Sequence, residues 1–254
     1  MTGAARFAYS QARLQARLGE SLPPEGMEQL HAARDLAGLL AAARTTSRRR
    51  YVERLAPRLD PHELERHLRA EWAALVDEVA RWQPAEWRAS IRWLRWLPGL
   101  PLLQKLARGG RPPAWARNDP WLGRVVALDP TLRADALAAS GLQPLRAVFE
   151  AKNRDAAAVW LDHWRASWPP GSAAARALDR IAHDVADCDA ALRDPAARAS
   201  RDPLRELRLR LLRSFRRHPL SPAAATAFLL LEGLDLLALR GQVMRRAMLG
   251  AGST

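Results

Sequence analysis

The chain has 254 residues, enough for one large domain or two modest ones with a packed core and no covalent staples. Its single cysteine, Cys188, excludes an intramolecular disulfide, so the fold must hold by packing alone, as suits a reducing compartment. Net charge is +13, and all basic residues except Lys105 and Lys152 are arginine. That bias fits the codon usage of a GC-rich genome, and equally an acidic protein partner, anionic lipid or nucleic acid.

The N-terminal stretch "MTGAARFAYSQARLQARLGE" has no uninterrupted apolar segment of the secretory kind and predicts a helix over 4–19. A leucine-rich helix is expected over 27–43. Five of the eighteen prolines follow aspartate, at Pro61, Pro120, Pro130, Pro195 and Pro203, and Pro222 follows Ser221. An Asp or Ser that accepts a backbone N–H, followed by a proline with preset φ, marks a helix start. From Pro61, the side chains Leu64, Leu68, Trp72, Leu75, Val79 and Trp82 recur every three or four residues as one apolar stripe, with Arg66, Arg69, Glu71 and Glu78 off it. Gln83-Pro84 ends that helix and starts another. Period-two runs of β-branched residues are hard to find, so the expected fold is all-α, as a funnel-like or bundle assembly of related helical lobes.

Seven of the ten tryptophans fall between Trp72 and Trp121. On a helical wheel Trp87, Ile91, Trp93, Leu94, Trp96 and Leu97 sweep a wide apolar arc opposite Arg88, Arg92 and Arg95. Core packing, a membrane-surface or subunit contact, and RNA binding through stacking plus arginines are the competing readings of this arc. The Gly- and Pro-rich stretch 109–120 reads as a linker between an N-terminal helical lobe, 1–108, and a C-terminal one, 121–254. Further helices are expected over 144–166, 172–193 and 203–217.

Ser221-Pro222 opens a last helix reaching about Leu249. The apolar run Ala223–Leu231 is too short to span a bilayer, and Glu232 and Asp235 fall mid-span. Glu232, Asp235, Gln242 and Arg246 trace one polar line along it. The expected place of this helix is therefore the centre of the fold or an interface.

Catalytic motifs are missing. No G-x-x-x-x-G-K-[ST] or G-x-S-x-G occurs, and "HELERH" sets His62 and His67 five apart, about 140° round a helix, where zinc needs two histidines four apart. His183 and Asp187 are four apart, with Asp184 and Cys188 alongside; an i,i+4 pair of this kind ordinarily serves helix electrostatics. No metal, cofactor or small-molecule substrate is expected.

The two ends together resemble the C/d-type socket family of V-type and A-type rotary ATPases. "RFAYSQARLQARL" carries Phe7, Tyr9, Ala12, Arg13 and Arg17 in the order of that family's N-terminal signature. Leu30, Leu36, Leu39, Leu40 and Thr45 follow in "MEQLHAARDLAGLLAAARTT". At the other end Pro219, Leu220, Phe228, Leu229, Asp235, Leu239 and Arg240 keep the family's order, with Ala238 where an asparagine is usual. The resemblance covers roughly residues 5–55 and 215–250. It implies a shortened or divergent non-catalytic subunit on the cytoplasmic face of the cell membrane. Such a protein is a socket between the rotor-ring proteolipid and the central-stalk subunits, in a machine that couples ATP to proton or sodium transport. Tyr9, Arg13, Arg17, Glu232, Asp235 and Arg240 are then candidate interface or motif residues, with Trp93 and Trp96 as a separate candidate contact. An Arg-rich nucleic-acid-binding helical module is the alternative.

Overall fold

A computed structural model describes residues 3–20, 30–58, 60–120, 122–127, 132–150 and 155–251. Among them the chain is all-α, with no strand. The first half contains α1 (Ala8–Gly19), α2 (Leu36–Arg44), α3 (Arg49–Val52), α4 (Pro61–Trp82), α5 (Arg88–Trp93), α6 (Leu100–Ala107) and α7 (Ala114–Arg117). After it come α8 (Gly123–Ala127), α9 (Arg133–Ala139), α10 (Arg146–Glu150) and α11 (Ala156–Ala166). The long closing helices are α12 (Ala175–Arg193), the short α13 (Pro195–Ser200), α14 (Pro203–Arg217) and α15 (Pro222–Ala251).

The aspartates set several boundaries. Asp202 accepts from the backbone N–H groups of Leu204 and Arg205 at 3.1 Å each, and Asp194 from Ala196 at 2.9 Å. Each such cap is worth about 1 kcal/mol. Pro61 opens α4 although the Asp60 side chain makes no capping bond. Asp119 instead pins a turn by accepting from Leu122 N–H at 2.8 Å, and Ser221 donates to the His218 carbonyl at 2.6 Å. Asp129-Pro130 lies outside the described residues.

Three expected boundaries move. In the described part of 27–43, α2 begins only at Leu36, because Asp35 accepts from Gly38 N–H at 2.7 Å and imposes its own start. Asp155 caps Ala157 at 2.8 Å in the same way, so α11 starts inside the expected 144–166 helix. The tryptophan-rich segment tightens into a 3-10 turn over Leu94–Gly99 that contains Pro98. Proline offers no N–H to an α-helical ladder, and the tighter turn accommodates it.

The stripe of α4 is core: Leu64, Leu68, Trp72, Leu75 and Val79 are all buried. α15 is the central post, packed on α1, α2, α4, α5, α12 and α14. Its first turns bury Ala223, Ala224, Ala225 and Ala227, small side chains that let neighbouring backbones approach closely, and then Phe228, Leu229 and Leu231. Burial of each of these last three is worth about 1.5–3 kcal/mol. At Gly233 the crossing with α4 is tightest, since a Cβ there would stand 3.3 Å from the Trp72 ring. Among the described residues α15 is the one helix long and apolar enough to cross a membrane, and 67% of its apolar window is buried inside the protein.

The 109–120 segment is tied down. Gly109 takes φ +79°, and the Gly110 N–H closes on the Lys105 carbonyl at 2.9 Å to end α6. α7 follows and packs on α4, with Arg69 stacked 4.3 Å above the Trp115 ring. One contiguous buried cluster runs from Leu14 to Val243 and draws on side chains from both sides of this segment.

Candidate functional site

The polar line on α15 faces protein. Asp235, buried among apolar neighbours, is gripped by two arginines: Arg48, just before α3, and Arg208 of α14. One turn earlier Glu232 accepts a 2.6 Å hydrogen bond from the Tyr51 hydroxyl and lies 3.6 Å from Arg48. The two carboxylates and two guanidiniums cancel in charge, which is the condition for holding them out of water. Burial, then the charge and hydrogen bond of Glu232, pushes the Tyr51 phenol well above its ordinary value, against the opposing pull of Arg50 and Arg48.

A second knot lies farther along. Glu65, buried on α4, pairs with Arg69 one turn on at 2.8 Å and with Arg240 of α15. Arg240 is half exposed, at the edge of the seam. Near the end of α15, Arg246 donates to the backbone carbonyls of Ala33 and His31 at 2.6 and 3.0 Å, and Gln242 accepts from Arg246 at 2.6 Å. The seam therefore staples α15 to the segments around Ala33, Arg48, Glu65 and Arg208.

Arg48, Tyr51, Glu65 and Arg208 went unmarked in the sequence. Nothing local distinguishes them from the other arginines, tyrosine and glutamates; only their meeting across the fold does.

The N-terminal candidates divide. Tyr9 and Arg13 are exposed on α1, with the Arg13 guanidinium 5.3 Å from the Tyr9 ring and 5.8 Å from that of Trp82. Arg17 turns to the body and pairs with Glu78 of α4 at 2.8 Å. Gln11 of α1 accepts from the Leu220 N–H at 3.0 Å, which joins the two ends of the chain.

Trp93 and Trp96 are not an exposed contact: each is only 7% accessible. Trp93 and Trp160 stack at 6.5 Å and exchange bonds, each indole N–H donating to the other's carbonyl at 3.1 and 3.3 Å. Trp164 stacks on Trp160 at 5.6 Å and donates to the Ser90 carbonyl at 3.1 Å. The rings form a ladder locking α11 onto α5, each with its polar edge satisfied. Nucleobase stacking or a membrane-surface role needs open ring faces, which Trp93 and Trp96 lack. The arginines opposite them serve the body as well, since Arg92 and Arg95 both reach Asp77.

Potential metal ligands remain scattered, with no group of three or more among the described residues. His183 stands 3.6 Å from Asp187 on the surface, and Arg210 takes up Asp184 and Asp187 at 3.3 and 3.7 Å. Cys188 is buried, its thiol directed at the Pro203 carbonyl, and burial pushes its pKa up. A thiol so placed is a poor nucleophile. No protein-family model, curated protein or solved structure matches this chain.

Proposed function

We propose that this chain is a non-catalytic coupling subunit of a bacterial V/A-type rotary ATPase. It sits on the cytoplasmic face of the cell membrane, between the rotor-ring proteolipid and the central-stalk subunits. The observation that carries the reading is the meeting of its two family-like segments. α1, with Tyr9 and Arg13 on its outer face, packs directly on α15, the helix that carries Glu232, Asp235 and Arg240. Residues that resemble one family at opposite ends of the chain thus share one structural unit.

The charged seam supports the same role. A part that transmits torque must resist shear between its helices, and a post cross-linked by buried ion pairs to its neighbours is suited to that load. In this reading Asp235, Glu232 and Arg240 keep the post rigid, and Tyr9 and Arg13 face the partner.

The test is recovery of the tagged chain from nuclease-treated native membranes in mild detergent, followed by identification of what accompanies it. Rotor-ring proteolipid together with stalk and ATP-hydrolysing subunits is the expected result. An ATPase that purifies complete without this chain would overturn the proposal.

A further inference from the structure

Within α14, the arginines fall into two groups. Arg208 and Arg210 are committed internally, to Asp235 on α15 and to Asp184 and Asp187 on α12. Arg205, Arg213, Arg216 and Arg217 are exposed, and none of them forms an ion pair among the described residues. Arg205 and Arg213 stand one turn before and one turn after Leu209, and Arg216 continues the same ridge about 16 Å from Arg205. Leu209 itself is 48% exposed. The inner face of the helix is occupied by Leu207, Leu211 and Phe215, all buried, so the ridge stands on a fixed base.

We infer that this α14 ridge is a docking surface for an acidic amphipathic helix of a partner protein, with Leu209 as its apolar contact and Arg205, Arg213 and Arg216 as its cationic clamps. Charge complementarity selects the partner. Glu206, three residues before Leu209, is shared by Arg201 and Arg210, so these four arginines have no acid of their own among the described residues. The net-cationic face favours a surface carrying Glu or Asp at helical spacing, and the leucine among them needs an apolar side chain opposite. The basic surface extends past the end of α14: the charges of Arg217 and of Arg180 on α12 add to burial in lowering the His218 pKa.

A helix lying on a bilayer needs a continuous apolar stripe toward lipid, and here that stripe is turned inward. A phosphate backbone would meet the arginines but would leave Leu209 with no apolar partner. A helix of another protein answers both features. This surface is independent of the coupling role proposed above, because it asks only for a complementary helix.

The experiment uses the full-length protein and a fluorescein-labelled synthetic helical peptide. Its contact face carries glutamates spaced three and four residues apart around one leucine. Fluorescence anisotropy is measured against the wild type, against R205E/R213E/R216E, and against R34E/R124E/R245E, which removes the same charge elsewhere on the surface. Binding is expected to weaken by roughly tenfold or more in the ridge variant and by less than about twofold in the remote one. R205K/R213K/R216K retains binding, and L209D reduces it without reversing any arginine. Circular dichroism establishes that each variant is folded, and the lysine and Leu209 variants decide the question if the triple reversal is not. Equal losses in the ridge and remote variants would overturn the inference. So would a tighter, ridge-dependent affinity for a 20-base-pair DNA duplex or for phosphatidylglycerol vesicles.

Discussion

Arg48 and Asp235 are 187 residues apart in the chain, and their side chains form a buried ion pair with Arg208 closing on the other carboxylate oxygen. Arg48 is only 3% accessible and Asp235 7%, so neither relies on water for its solvation. The pair joins the approach to α3 and the centre of α15, and with them the two ends of the chain.

Asp235→Ala leaves Arg48 without its nearest carboxylate in a buried setting. The expected loss of stability is about 3–5 kcal/mol, the range for removing one partner of a buried pair. Arg208→Ala, which removes the more exposed partner, should cost less. Urea unfolding of both variants checks the order, and equal small losses would show that the seam is solvated.

Tyr51 should resist ionisation past pH ~10, the ordinary value for the phenol. Its pKa in the folded chain lies above that of the unfolded chain, so the folded state holds more protons in the interval between them. Stability is therefore complete below the unfolded value and falls as pH rises through that interval. Alkaline titration followed at 295 nm should show a late phase in the wild type that Tyr51→Phe lacks.

Two histidines contribute on the acid side. Burial lowers the pKa of His163, which lies edge-on 4.5 Å from the Trp93 ring, and burial with nearby Arg217 and Arg180 lowers that of His218. As pH falls through ~6.5 the unfolded chain takes up protons before the folded one does, so stability declines in that direction. Urea midpoints between pH 8 and 5 should fall for the wild type and fall less for His163→Gln/His218→Gln. Identical slopes would refute the assignment.

The tryptophan ladder predicts slow acrylamide quenching of most of the indole emission. Trp160→Ala removes two stacking contacts and the bond accepted by the Trp93 carbonyl, and about 3–5 kcal/mol of stability is expected to go with them. Differential scanning calorimetry reads the loss directly.

Cys188 should react with a thiol reagent slowly in the native protein and at once in denaturant. Its elevated pKa leaves little thiolate at neutral pH, and the surrounding helices limit access. Rapid native labelling would contradict the burial of this part of α12.

What the sequence determined on its own was local. The 3.6-residue stripe from Leu64 to Val79, the capping aspartates Asp194 and Asp202, and the apolar opening of the last helix are each written within a few neighbouring residues, so the all-α class could be read directly. Where local signals compete, the boundaries shift: Asp35 and Asp155 start helices inside longer apolar runs, and Pro98 tightens a turn in mid-segment. Tertiary structure alone decided which of many arginines serve Asp235, Glu232 and Glu65, and that Trp93 and Trp96 turn inward rather than outward, Trp93 against α11. Those choices depend on chain closure over tens to hundreds of residues. A charged or aromatic side chain has no local signature for the partner it will meet; only the packed geometry of α15 against its neighbours supplies one.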